Sequence, residues 1–217
     1  MKVAVIRFPG SNCDQDAYHA LNDMGLKAEY VWHDSGSLDG FDAAFVPGGF
    51  SYGDYLRCGA MAARSRIMGE VNRLAEAGCP VLGVCNGFQV LTEAGLLPGA
   101  LMQNEHEKFL CQDVFLTTES EASWTREAKG KTLRIPIAHG EGRYIADAET
   151  LARVEGEGQV AFRYVENVNG SVNSIAGVIS PKGNVMGMMP HPERAASLRL
   201  GNTDGLVILR ALELVRA

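Results

Sequence analysis

Several features that would assign a protein to a familiar class are missing from this 217-residue sequence. No apolar run approaches the ~18 residues of a membrane-spanning helix, and Pro9 and Gly10 break the first apolar segment too early for a signal peptide. Lys and Arg number 20 against 26 Asp and Glu, so the net charge is −6 and no basic patch for nucleic acid is visible. We therefore expect a cytoplasmic protein that binds neither membranes nor nucleic acid.

The sequence also lacks the motifs of metal and nucleotide sites. Its five cysteines are odd in number and include no CxxC pair, so neither a disulfide framework nor a zinc site is expected. The glycine-rich segment at residues 47–53 lacks the Gly-Lys-Ser/Thr of a P-loop, and the first predicted strand leads into no G-x-G-x-x-G. We therefore expect no cofactor, metal ion or ATP on this chain, and free thiols in a reducing compartment.

Short β-branched runs alternate along the chain with amphipathic stretches, in a globular composition of 46% hydrophobic and 21% charged residues. The predicted strands of the central sheet are Lys2–Phe8, Ala28–Val31, Ala43–Val46, Val81–Val84 and Asn184–Met188. The predicted helices are Asn12–Met24, Ala60–Ala77, Gly87–Glu93 and Thr203–Val215, the first of them capped by Asn12.

This alternation predicts an α/β fold. We expect an open, mostly parallel twisted sheet with helices on both faces, of the flavodoxin-like type. Between Phe109 and Ile179 the strand-like pieces are short and broken by turn residues, and we interpret them as antiparallel additions to the sheet. No linker or repeat interrupts the chain, so a single domain over residues 1–217 is expected.

The most informative segment is Gly83–Gly87, which reads Gly-Val-Cys-Asn-Gly and joins a buried strand to a helix. This is a cysteine version of the nucleophile elbow, a sharp turn that projects a reactive side chain. The helix N-terminus favours negative charge and so lowers the pKa of a thiol placed there. We predict that Cys85 is a nucleophile; the alternative is a structural cysteine buried at a tight turn.

A cysteine nucleophile needs a base, and the base needs a group that orients it. Two histidines are followed two residues later by a glutamate: His191 by Glu193, and His139 by Glu141. The prolines on either side of His191 stiffen its turn just after a predicted strand, which favours it as the base. His139 lies in a looser glycine-rich loop that suits ligand contact, and it stays the alternative.

The turn Pro47–Gly49 follows another predicted strand and can present free backbone N–H groups. Beside the elbow, such a turn forms half of an oxyanion hole, with the N–H of Asn86 as the other half. The alternative is a plain turn.

In this order and over most of the chain, the segments Pro47–Gly49, Gly83–Gln89 and His191–Glu193 resemble the class I, or triad-type, glutamine amidotransferases. The resemblance implies that Cys85 is the nucleophile, His191 the base and Glu193 its orienting group. It also implies a set of groups that hold the oxyanion and the glutamine: Gly49, Phe50, Asn86, Gln89, His139, Gly140 and Glu141.

Longer segments are similar to one branch of that family, the glutaminase subunits of phosphoribosylformylglycinamidine synthase. These segments are Phe8–Asp14, Gly48–Arg57, His139–Arg143 and Pro190–Arg194. The similarity implies hydrolysis of L-glutamine to glutamate and ammonia through a cysteine thioester, in purine biosynthesis. The ammonia would pass to a large synthetase subunit that holds ATP and Mg²⁺ and converts formylglycinamide ribonucleotide to formylglycinamidine ribonucleotide, with a small third subunit.

Two other interpretations stay open from the sequence. The chain could serve another synthetase, because the elbow would be identical in that case. It could also be a non-catalytic binding or chaperone-like protein of the same α/β fold, although the intact His191-Pro192-Glu193 motif argues against that.

Overall fold

A nine-stranded mixed sheet forms the centre of the computed structural model, which describes residues 1–215. The strands of this sheet are β1 (Lys2–Arg7), β2 (Lys27–Trp32), β3 (Ala43–Val46), β4 (Val81–Val84), β6 (Leu110–Thr117), β7 (Leu133–His139), β9 (Val160–Tyr164), β10 (Ile175–Ile179) and β11 (Val185–Met188). A second sheet has two strands, β5 (Ala100–Met102) and β8 (Arg143–Ile145). The helices are α1 (Asp14–Asp23), α2 (Arg66–Glu76), α3 (Asn86–Glu93), α4 (Ala148–Gly156), α5 (Gly205–Leu209) and α6 (Ala211–Leu214).

The strand order of the large sheet is β2-β1-β3-β4-β11-β10-β9-β6-β7. The first five strands in this order run parallel, in the arrangement of a flavodoxin-like sheet. The remaining four extend the sheet by antiparallel pairing. The predicted α/β class, with antiparallel additions to a parallel sheet, is confirmed.

The parallel strands are the most deeply buried part of the molecule. Every residue of β3, β4 and β11 is buried, as are the four central residues of β1. A strand that is buried on both faces of the sheet has apolar side chains on both faces, which explains the continuous apolar runs of these strands. Within residues 1–215, no helix is both long and apolar enough to cross a membrane.

Two predicted helices begin later than the sequence pattern indicated. Cys13, rather than Asn12, occupies the cap position of α1, and the Asn12 Oδ1 accepts from the Cys13 thiol at 3.2 Å instead of from a helix amide. The helix predicted at Ala60–Ala77 is broken at Ser65, whose backbone is extended. The hydroxyl of Ser65 donates to the carbonyl of Ala62 at 2.7 Å, which closes a separate 3-10 turn before α2.

The last predicted helix, Thr203–Val215, is shorter and divided. Asp204 precedes α5, where its carboxylate accepts from the backbone N–H of Arg134 at 2.8 Å. The N–H of Glu213 bonds to the carbonyl three residues back, on Arg210, and this tighter spacing separates α5 from α6.

Candidate active site

Cys85 lies at the junction of β4 and α3 with a backbone that few non-glycine residues adopt, φ 52° and ψ −109°. Strained backbone of this kind costs about 1–3 kcal/mol and persists only where the surroundings hold it in place. The packing at Gly87 supplies that constraint, because a Cβ there would lie 1.8 Å from the carbonyl oxygen of Val46. The elbow therefore depends on close contact between the start of α3 and the end of β3.

The pairing of β11 with β4 brings a second segment to the elbow. Met188 pairs with Val84 at the end of both strands, and the N–H of Cys85 donates to the carbonyl of Met188 at 2.8 Å. Three residues after Met188, the N–H of His191 donates to the carbonyl of Pro136 in β7 at 2.8 Å. This places the His191 ring beside the elbow.

Gly48 completes the contact between the two segments. A Cβ on Gly48 would lie 2.8 Å from Cε1 of His191 and 3.3 Å from Cβ of Cys85. The imidazole and the nucleophile thus meet across a space that only a glycine leaves open.

His191 and Glu193 form a fully buried pair, with Nδ1 of the imidazole 2.6 Å from Oε1 of the carboxylate. Burial by itself lowers the pKa of His191, but the charges of Glu193 and Cys85 raise it, and the pKa stands at about 10. The ring therefore keeps its proton at neutral pH. Among residues 1–215, Nε2 has no hydrogen-bond partner, which leaves it free for a reacting group.

A cavity of about 190 Å³ opens beside Cys85. This volume is below the roughly 300–1,000 Å³ of pockets for drug-sized ligands, and it suits an amino acid. Eight predicted site residues line it: Cys85, His191, Gly49, Phe50, Gln89, His139, Gly140 and Glu141. The other two, Asn86 and Glu193, are buried behind the wall, where they contact lining residues.

Gln89 is held in place from both sides. Its amide oxygen accepts from Nδ2 of Asn86 at 2.9 Å, and its Nε2 donates to the backbone carbonyl of Glu141 at 2.6 Å. Asn86 in turn accepts from the N–H of Ser51 at 3.2 Å. This chain of hydrogen bonds ties α3 to the loops after β3 and β7.

His139 is a buried, neutral histidine. Burial lowers its pKa to about 4, and the neighbouring charge of His191 acts in the same direction. Its Nδ1 lies 3.1 Å from Oδ1 of Asn104, whose amide nitrogen already donates to two backbone carbonyls. The oxygen of Asn104 must therefore accept, so Nδ1 of His139 carries the hydrogen and Nε2 is a bare acceptor.

Two backbone N–H groups are suited to stabilise an oxyanion. Asn86 opens α3, and the first N–H groups of a helix have no acceptor within the helix. Gly49 has φ +139°, and within residues 1–215 its N–H makes no backbone hydrogen bond. Asn86 belongs to the elbow and Gly49 lines the cavity beside it, so the oxyanion hole at these two residues stays a prediction.

The cavity is also lined by seven residues that were not predicted from the sequence: Asn12, Cys13, Asp54, Cys58, Phe109, Ala138 and Arg194. Most of them fall within or next to the long segments that resemble the amidotransferase branch, which is the signal that could have found them. Phe109 carries no sequence signal, because only the pairing of β6 with β7 brings it to the cavity.

Cys13 is the other thiol close to the triad. Its sulfur accepts from Nη2 of Arg194 at 3.0 Å and donates to Asn12. Burial, followed by the charge of Glu193, raises the pKa of Cys13 to about 12 despite the guanidinium. Cys13 is therefore a neutral thiol at physiological pH and a poor nucleophile.

A model of the CobB/CobQ-like glutamine amidotransferase domain matches residues 1–203. The chain belongs to this glutamine amidotransferase family. The enzyme class predicted from the motifs, a glutamine amidotransferase acting as a glutaminase subunit in purine biosynthesis, is confirmed.

Relatives of this amidotransferase are similar to it in sequence over almost the whole chain. Proteins from two strains of Thermus thermophilus, each described as phosphoribosylformylglycinamidine synthase subunit PurQ, are 59% identical in an alignment that covers 95% of this chain and 95% of each relative. A chain in the structure of PurLQS from Thermotoga maritima is 47% identical, with a TM-score of 0.90 over 98% of this chain and 97% of that one.

A more distant structure shares the fold. A glutamine amidotransferase from Thermotoga maritima has a TM-score of 0.61 at 16% identity, over 98% of this chain and 90% of that one. At this identity the likeness shows the α/β architecture alone.

The packing at the elbow predicts opposite effects for two glycine-to-alanine substitutions. Gly87→Ala places a methyl group against the carbonyl of Val46, and overpacking of this kind costs about 1–3 kcal/mol. Gly69→Ala in α2 meets nothing within 4 Å and should stabilise the helix by about 0.5–1 kcal/mol. Thermal unfolding should show a lower Tm for the first and an unchanged or higher Tm for the second. Equal Tm values would contradict the close contact at the elbow.

Proposed function

We propose that this glutamine amidotransferase hydrolyses L-glutamine through a thioester on Cys85, with His191 as acid and base and Glu193 as its orienting group. The observation that carries the proposal is the buried His191–Glu193 pair beside the strained elbow of Cys85. A protonated imidazole next to a thiol at a helix N-terminus stabilises a thiolate in the resting enzyme.

In the first half-reaction the Cys85 sulfur attacks the side-chain amide carbon, and the carbonyl oxygen becomes an oxyanion. The N–H groups of Gly49 and Asn86 are the donors for that charge. The C–N bond then breaks as His191 transfers its proton to the leaving nitrogen, which departs as ammonia. The γ-glutamyl thioester of Cys85 remains.

In the second half-reaction the neutral His191 takes a proton from water as the water attacks the thioester. The C–S bond breaks, glutamate leaves, and the Cys85 thiolate is again paired with a protonated imidazole. Glu193 keeps the imidazole in one orientation through both steps. Gln89 and the loop His139–Glu141 would hold the rest of the substrate.

We also propose that the ammonia is used by a large ATP-binding synthetase subunit, with a small third subunit, in the cytoplasm. The relatives described as PurQ and the PurLQS structure support this, as does the lack of an ATP motif in this sequence. The whole chain, residues 1–217, would then act as one glutaminase domain, with ATP and Mg²⁺ held by the partner.

The face at the mouth of the cavity has the character of a docking surface. Next to the oxyanion turn, Phe50, Tyr55 and Leu56 are exposed, with Leu56 84% exposed. Arg57 in the same loop pairs with Glu93 of α3. Aromatic and arginine side chains are enriched among the residues that anchor protein interfaces.

Variants of the two histidines test the catalytic roles. In the assembled synthase, His191→Ala should lower kcat by on the order of 10³-fold or more, because base and nucleophile act as a unit. His139→Ala should mainly raise KM for glutamine, and Glu193→Gln should lower kcat less than His191→Ala does. Steady-state glutamate release measures all three, and ammonium-dependent synthesis by Cys85→Ala controls for intact assembly. A swap of the two histidine phenotypes would refute the assignment.

Variants of the exposed loop test the dependence on a partner. Uncoupled hydrolysis would waste glutamine, so we expect the isolated chain to have low activity and docking of the synthetase to raise kcat. Tyr55→Ala with Arg57→Ala should weaken this stimulation, measured as glutaminase activity with synthetase, ATP and ribonucleotide added. The matched control is Phe115→Ala with Arg126→Ala, which removes an exposed aromatic and an arginine outside the cavity. Full activity of the chain alone would contradict the proposal.

A further inference from the structure

The reaction uses only the side-chain amide of glutamine, yet the cavity must also accept a charged amino group at the other end of the molecule. Asp54 and Glu141 both line the cavity, and Asp54 has no part in the chemistry described above. The two carboxylates lie near enough to raise the pKa of Asp54 through their repulsion, in addition to the larger effect of burial. Two neighbouring carboxylates therefore lie in this part of the cavity wall.

Asp54 is linked to the elbow by one hydrogen bond. Its Oδ1 accepts from Nδ2 of Asn86 at 3.3 Å, and Asn86 directly follows Cys85 in the chain. One side chain thus connects the carboxylate to the residue that follows the nucleophile, and Asp54 and Cys85 line the same cavity.

Neither carboxylate has a cation to balance it. Within residues 1–215, no salt bridge involves Asp54 or Glu141. The neighbour of both is the thiol of Cys58, whose pKa they and its burial raise far above the ordinary range. A neutral thiol supplies a weak donor and no charge, so the wall keeps its net negative charge.

A third acceptor lines the same cavity. His139 is 3% exposed, and its Nε2, the bare acceptor of the neutral ring, has no partner among residues 1–215. Buried acceptors of this kind are costly unless a ligand or water donates to them. Two carboxylate groups therefore line the cavity, and the imidazole nitrogen of His139 is a further acceptor that is buried next to it.

We propose that Asp54, together with Glu141, binds the α-ammonium group of glutamine and thereby selects α-amino acid amides over amides that lack the amino group. The proposal rests on the proposed glutaminase function and adds to it a specificity-determining residue. A protonated amine is the donor that two unpaired carboxylates in a small cavity bind most strongly.

The test compares two substrates with two enzymes. Asp54→Asn keeps an oxygen for Asn86 but removes the charge. For L-glutamine this variant should lower kcat/KM by roughly 10- to 100-fold, mostly through KM, which corresponds to one lost charge-assisted hydrogen bond. For 4-carbamoylbutanoate, which is glutamine without its amino group, kcat/KM should change by less than about threefold. The preference of the wild type for glutamine should therefore largely disappear in the variant.

The control is Glu76→Gln, which removes an exposed carboxylate at the end of α2 that does not line the cavity. This control should leave the ratio of the kcat/KM values for the two substrates as in the wild type. An equal loss for both substrates in Asp54→Asn would overturn the proposal, because it would indicate disturbance of Asn86 rather than loss of an ammonium contact. A failure of the glutaminase function itself would differ from this, since the wild type would then release no glutamate from glutamine.

Discussion

The parallel pairing of β4 with β11 is the constraint on which the site depends. Met188 and Val84 end their strands side by side, so the chain leaves the sheet at the same level in both segments. After β4 the chain turns sharply into α3, and Cys85 lies in that turn. After β11 the chain runs through a proline-rich turn that contains His191. A shift of one residue in this register would send one of the two side chains to the wrong face of the sheet.

The site also depends on which of its buried side chains are charged and which are neutral. Glu193 is isolated from water and hydrogen-bonded to His191, which holds the proton on the imidazole. His139, which lines the same cavity, is kept neutral by burial and by that same positive charge. Two histidines with pKa values displaced in opposite directions can perform different tasks in one cavity. The neutral thiol of Cys13 lies close to the triad without competing as a nucleophile.

The candidate catalytic residues could be proposed from the sequence because each lies in a local motif. The elbow, the His-x-Glu pair and the Gly-Gly turn are each short motifs at the end of a strand, and parallel strands bring such ends to one edge. The strands Ala43–Val46 and Val81–Val84 could be predicted to the residue for a similar reason, since each is a compact apolar run next to turn residues.

What the sequence does not predict depends on contacts between distant segments. Asp54 enters the site through a hydrogen bond to Asn86, and Phe109 enters it only because β6 pairs with β7. The break of the helix at Ser65 comes from a side-chain bond that competes with the helical pattern. The choice between His191 and His139 rests on the neighbours of each ring, and spacing alone leaves the two histidine–glutamate pairs nearly equal.

The central claim is that a γ-glutamyl thioester forms on Cys85. The most direct measurement is to mix the assembled wild-type synthase with glutamine, quench in acid within a turnover, and locate the adduct by tandem mass spectrometry of proteolytic peptides. We expect a glutamyl group on Cys85 that disappears on treatment with neutral hydroxylamine, and unmodified thiols at Cys13 and Cys58. An adduct on either of those residues, or glutamine hydrolysis at the wild-type rate by Cys85→Ala, would contradict the account.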